Sequence, residues 1–126
     1  MLEQSKLIAV VEDDPGMRKA LDRLLRAAGY KTELFSSAEA LMATETPHLA
    51  DCLIFDIHLP GISGLELRRR LTASGHKRPV IFITALDDEA ARDEARQLDC
   101  VGYFRKPFEG AALLAAIQQG LEVVRG

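Results

Sequence analysis

Five short strand-like segments, four of them apolar runs and each followed by a segment of helix length, constrain this chain more than any other feature. They fall at residues 7–11, 31–35, 52–55 (ending in Asp56), 80–84 and 101–104. Runs such as Leu7-Ile8-Ala9-Val10-Val11 and Val80-Ile81-Phe82-Ile83-Thr84 do not alternate apolar with polar residues, so strands formed from them are buried on both faces. Between the runs the apolar spacing changes to that of helices. Buried strands alternating with amphipathic helices predict an α/β fold, a doubly wound (βα)5 sandwich with right-handed crossovers. The sheet is expected to be parallel, in the order 2-1-3-4-5. That order puts a topological switch point between the carboxyl ends of the first and third strands, where a ligand crevice is expected.

The helix boundaries are written in local chemistry. Met17, Ala20, Leu21, Leu24, Leu25 and Ala28 share one face of a first helix, with Asp14 as cap, Pro15 in the first turn and Gly29 as the stop. Ser36 with Glu39 reads as a capping box for a short helix over 38–44, and Pro47 closes its loop. A third helix over 65–71 turns Leu67 and Leu71 inward after the Pro60-Gly61-Ile62-Ser63-Gly64 turn. A polar, Ala-rich fourth helix is expected over 87–98. Leu113, Ala116, Ile117 and Leu121 mark a closing fifth helix.

At 126 residues, 48% hydrophobic and 28% charged, the chain is the length and composition of one globular domain, expected to span 1–126. Its net charge of −3 argues against direct nucleic-acid binding, which needs a basic face to displace counterions. Cys52 and Cys100 match no metal or redox spacing and read as small buried hydrophobes. No apolar stretch approaches the roughly 20 residues that span a bilayer, and residues 1–6 lack a signal-peptide core, so a cytoplasmic, reducing location is expected.

The predicted topology gathers residues that are distant in sequence. Glu12, Asp13 and Asp14 follow the first strand, Asp56 the third, Thr84 the fourth and Lys106 the fifth. Taken singly, each has an ordinary structural role: acids cap helices and turn loops, threonine ends strands, and a lysine before proline is solvated. Taken together they form an acidic pocket with one hydroxyl and one cation. Two carboxylates about 4 Å apart repel by about 4 kcal/mol at an effective dielectric near 20, so the cluster calls for a cation or raised pKa values. Mg²⁺ suits it, being a hard ion that binds through one or two carboxylates, waters and a phosphate. An aspartate beside such an ion can also attack phosphorus, provided the charge brought together in the transition state is neutralised.

In order and spacing, these motifs resemble the receiver domain of bacterial two-component response regulators. The matching pieces are Glu12-Asp13, Asp56-Ile57-His58-Leu59-Pro60 with Gly64, Thr84-Ala85 and Lys106-Pro107-Phe108, and they span nearly the whole chain. The resemblance implies a flavodoxin-like fold and a signalling switch that catalyses only its own phosphotransfer and dephosphorylation. Asp56 would accept a phosphoryl group from the phosphohistidine of a sensor histidine kinase. Mg²⁺ would be held by Asp13, Asp56, the backbone carbonyl of His58 and, through water, Glu12, whereas Asp14 matches no ligand position. Lys106 would pair with the phosphoryl oxygens, Thr84 would swing toward them, and Tyr103 would turn inward with it. The output face would be the fourth helix, fifth strand and fifth helix, including Tyr103 and Phe104, a face that in this family often dimerises or meets an effector domain. Ser36-Ser37-Ala38-Glu39-Ala40-Leu41 looks like receivers that precede LuxR-type DNA-binding domains, so the chain fits a receiver excised from such a transcription regulator.

The departures from the family pattern are local. Leu59 replaces the usual Met, Asp99-Cys100 replaces Gly-Ala, and Glu12 lengthens the first acid while keeping its charge. His58 and Leu86, two residues beyond Asp56 and Thr84, are expected to flank the path of an attacking water. Exchanging them should alter the dephosphorylation rate more than the phosphorylation rate. An aspartyl phosphatase would want a second Asp where His58 stands, and a flavin binder would want a Ser/Thr/Gly-rich loop where Glu12-Asp13-Asp14 stand. His48, His58 and His76 have no metal spacing and read as surface residues, and Arg68-Arg69-Arg70 as a solvated helix face.

Overall fold

The computed structural model describes residues 5–86 and 88–125, with side chains in the last helix as far as Glu122. Residues 1–4, Gly126 and Asp87, the expected start of the fourth helix, lie outside the described residues. The strands are β1 Leu7–Val11, β2 Lys31–Phe35, β3 Cys52–Asp56, β4 Val80–Thr84 and β5 Gly102–Arg105. All pairings are parallel and the order is β2-β1-β3-β4-β5, as expected. β5 begins one residue later than the apolar pattern suggests, because Val101 spends its amide on Val80 O before the ladder starts.

The unbroken apolar runs are explained by the two sides of the sheet. Ala9, Val11, Leu53, Phe55, Val80 and Phe82 point to one side, where they pack with Leu41, Leu65, Leu67, Leu71, Ala91 and Ala95. Ile8, Val10, Cys52, Ile54, Ile81 and Ile83 point to the other, against Leu21, Leu25, Leu113, Ala116 and Ile117. Successive side chains on a strand face opposite ways, so a sheet covered on both sides needs apolar residues at every position. The covering helices are α1 Pro15–Ala27, α2 Ala38–Met42, α3 Thr46–Leu49, α4 Gly64–Ala73, α5 Glu89–Gln97 and α6 Gly110–Arg125. The first side therefore carries α2, α4 and α5, and the second carries α1 and α6.

Capping follows the sequence at α1, where Asp14 Oδ2 accepts from Met17 N at 2.8 Å and Pro15 opens the first turn. At α2 it does not. Ser37, not Ser36, accepts the amide of Ala40, and the helix stops at Met42. Glu39 closes no capping box; its Oε2 reaches out of the helix to accept from Ile62 N at 3.2 Å. Pro47 likewise lies inside the extra helical turn α3, buried, instead of in open loop. At Glu39 a tertiary partner, the Ile62 amide, has taken the carboxylate that a capping box would use.

Three surface expectations are also corrected. Arg68 is only 6% exposed, its guanidinium turned inward to the carbonyls of Leu98 and Arg78, while Arg69 and Arg70 are solvated. His76 is 7% exposed, with Nε2 at 2.8 Å from Pro47 O, whereas His48 and His58 are exposed. Cys52 is buried and its thiol is pushed up to about 12 by burial, but Cys100 is only half-buried.

Candidate functional site

Parallel registers align the carboxyl ends of the five strands. Val11 stands opposite Phe35 and Phe55, Asp56 opposite Ile83, and Thr84 opposite Arg105. The residues at or just beyond these ends are Glu12, Asp13, Asp56, Thr84 and Lys106. Pairing reaches one residue past β1, where Glu12 N donates to Phe35 O at 3.0 Å, so the Glu12 side chain enters fully buried. Lys106 is held similarly, its amide donating to Thr84 O at 2.7 Å.

The Lys106 ammonium bridges two acids, with Nζ 2.7 Å from Glu12 Oε1 and 3.1 Å from Asp56 Oδ2. Asp56 Oδ1 accepts from His58 N at 3.0 Å, and Glu12 Oε2 accepts from Asp14 N at 3.0 Å. One carboxylate oxygen from each of Glu12, Asp13 and Asp56 lies within 4.8 Å of the other two. Burial pushes the Glu12 carboxyl up to about 7; Lys106 and the Asp14 amide pull it down, and neighbouring Asp56 adds to the rise. Burial works against the charge on Lys106, but its bonds to Glu12 and Asp56 prevail and its pKa is raised.

The donor set fits a hard divalent cation. It consists of carboxylate oxygens gathered from three residues, and one of its acids, Asp13, is exposed where an ion could reach it. Lys106 supplies only one positive charge to three carboxylates. Asp14, as expected, stays outside the cluster and caps α1.

Thr84 and Tyr103 are close by in the fold but differently engaged. The buried Thr84 hydroxyl donates to Leu86 O at 2.9 Å and accepts from Leu86 N at 3.1 Å, so its own loop holds it. Tyr103 is half-buried, with the Arg92 guanidinium 5.7 Å from its ring centroid, and lines a cavity of about 350 Å³ between α5 and β5 with Arg92, Arg96 and Arg105. Phe104 does not share that face. It points through the sheet to the α1 and α6 side and packs near Phe108, as strand alternation requires. His58 and Leu86 are both exposed beside the site.

Two supports were not legible in the chain. Arg18 Nη1 donates to Glu12 O at 2.8 Å and to Asp13 O at 3.4 Å. Gly64 lies so close under the Asp56 carbonyl that any Cβ would collide with it. Gly64 was picked out in the sequence as part of the motif around Asp56, but the contact itself was not.

This arrangement of fold and pocket defines a class. A family description for the response regulator receiver domain matches residues 8–118, and the chain belongs to that family. Its sequence is 34% identical over 123 residues to the response regulator protein TmoT of Ectopseudomonas mendocina, covering 98% of this chain and 56% of that protein. It is 34% identical over 120 residues to the transcriptional regulatory protein FixJ of Azorhizobium caulinodans, covering 95% of this chain and 57% of FixJ. The chain thus spans a little over half the length of these relatives. Among solved structures, the response regulator StyR superposes with a TM-score of 0.87 at 38% identity, over 95% of this chain and 61% of that one. The fold is flavodoxin-like, and among the described residues no helix is long and apolar enough to cross a membrane.

Proposed function

We propose that residues 1–126 act as one receiver that takes a phosphoryl group from the phosphohistidine of a sensor histidine kinase onto Asp56. The observation that carries this reading is the Asp56 carboxylate, seated among Glu12, Asp13 and Lys106 at the switch point of the sheet. A carboxylate oxygen of Asp56 attacks phosphorus, the P–N bond breaks, and its electron pair stays on the imidazole nitrogen, which takes up a proton. Asp13, Asp56 and the His58 carbonyl, with Glu12 through water, would hold Mg²⁺, which when bound offsets the charge of two anions brought together. Lys106 already touches Asp56 and is placed to follow the new phosphoryl oxygens.

The new dianion offers acceptors for which the Thr84 hydroxyl must leave Leu86. Leu86 precedes α5, so the exchange of partners is felt by the face formed by α5, β5 and α6, where Tyr103 sits. That face would contact a second copy or an output domain; the transcriptional role of relatives such as FixJ favours a DNA-binding output carried outside these residues. His58 and Leu86 would set the lifetime of the phosphate. The protein would catalyse only its own phosphotransfer and dephosphorylation.

The test is incubation with Mg²⁺ and acetyl phosphate followed by intact mass. Wild type should gain one acid-labile phosphoryl group, and neither Asp56→Asn nor metal-free wild type should. Equal labelling of the variant, or none of the wild type, removes the proposal.

A further inference from the structure

We infer that Arg18 is a positioning residue for metal binding, holding the loop that carries Glu12 and Asp13 without touching the ion. The inference rests on the proposed Mg²⁺ site. Past Glu12 the chain leaves the sheet: Glu12 N is the last amide of this strand paired with β2. The acids beyond that point must be aimed by something else. Asp14 does part of it, with its amide on Glu12 Oε2 and its carboxylate on Met17 N. The Asp13 carboxylate is exposed and has no hydrogen bond or ion pair among the described residues.

Arg18 supplies the missing restraint. It lies one turn into α1, where its amide donates to Asp14 O at 2.9 Å, so its side chain returns over the loop from a fixed helix. One guanidinium nitrogen carries two N–H groups, and Nη1 spans the successive carbonyls of Glu12 and Asp13. Both peptide groups are thereby oriented while both carboxylates remain available to the site. A lysine would keep the charge but replace the planar fork with a point donor on a flexible stem.

Charge alone makes the opposite prediction. A cation near an acidic pocket repels an incoming Mg²⁺, so removing Arg18 would tighten binding if electrostatics dominated. If positioning dominates, removal weakens it, and groups that orient metal ligands typically contribute about 10–100-fold to affinity. The sign of the change separates the two.

The experiment is titration of the metal-free protein with MgCl₂, followed by the amide NMR shifts of Asp13 and His58. Wild type, Arg18→Met, Arg18→Lys and Asp13→Asn are compared at a temperature where circular dichroism shows each folded. Arg18→Met should raise the Kd about tenfold or more. Arg18→Lys, which serves alone if the Met variant does not fold, should also bind more weakly than wild type although its charge is unchanged. An unchanged or lower Kd in the Met variant, or a wild-type Kd in the Lys variant, overturns the inference and leaves the metal site standing. If wild type shows no saturable shift, or Asp13→Asn binds as wild type does, the metal site itself fails and takes the inference with it.

Discussion

His76 shows at the level of one residue how burial converts an ordinary side chain into a pH-sensitive one. Burial lowers its pKa from 6.5; the bond to Pro47 O opposes this, and the positive charges of Arg68, His48 and Arg78 reinforce it. The imidazole is therefore neutral in the fold, with Nε2–H donating to Pro47 O and Nδ1 buried without a partner among the described residues. As pH falls, the unfolded chain takes up this proton before the folded one does. The contribution of His76 is complete above pH 6.5 and is lost as pH drops through the lower folded-state value. Urea midpoints at pH 7 and pH 5 should differ less in His76→Gln than in wild type, and equal differences would rule out this role. Nothing in Gly75-His76-Lys77 announces burial, because a single polar residue in a loop carries no periodicity. The acids and Lys106 were legible for the opposite reason: each stands at the end of an apolar run, and the run fixes where its last residue must go.

Arg68 belongs to the scale of elements, since it ties three of them together. From α4 its Nε donates to Leu98 O, at the carboxyl end of α5, at 3.3 Å, and its Nη1 donates to Arg78 O, just before β4, at 3.2 Å. Burial lowers its pKa, and nearby Asp99 works the other way. Replacing it with Met would leave two partly buried carbonyls without this donor, at a cost of about 1–3 kcal/mol. A urea titration of Arg68→Met reads this directly; a loss below about 0.5 kcal/mol would mean that water replaces the guanidinium. The five longer helical segments were legible from periodicity, and the start of α1 from Asp14 and Pro15, whereas the single turn of α3 was not. What escaped was partner choice. Ser36 and Ser37 are adjacent and chemically equal as caps, and Glu39 meets Ile62 only once α2 and the β3–α4 loop are side by side.

For the molecule as a whole the question is how the proposed phosphoryl group on Asp56 would be felt on the α5–β5–α6 face. Thr84 is the proposed link, because its hydroxyl satisfies both backbone groups of Leu86 and must release them to reach a phosphoryl oxygen. Each bond given up contributes about 0.5–1.5 kcal/mol, so the exchange is within reach of a charge-assisted replacement. Thr84→Ala should still gain phosphate on Asp56 but lose the acetyl phosphate-dependent change in hydrogen exchange over α5 and β5 that wild type shows. The same change in both proteins would break the link. The alternation of buried strands with amphipathic helices was enough to read a parallel doubly wound sheet, and the expected strand order then put Glu12, Asp13, Asp56, Thr84 and Lys106 on one edge. Strand burial and helix periodicity are properties of consecutive residues, whereas the strand order came from the common order of such sheets. Folding in three dimensions was needed to reveal that Lys106 bridges Glu12 and Asp56, that Thr84 is held by its own loop, that Gly64 admits no side chain, and that Arg18 and Arg68 reach back to carbonyls of other segments. Those are contacts across distances that the chain closes only when its layers are packed, and no local pattern encodes which donor will be nearest which acceptor.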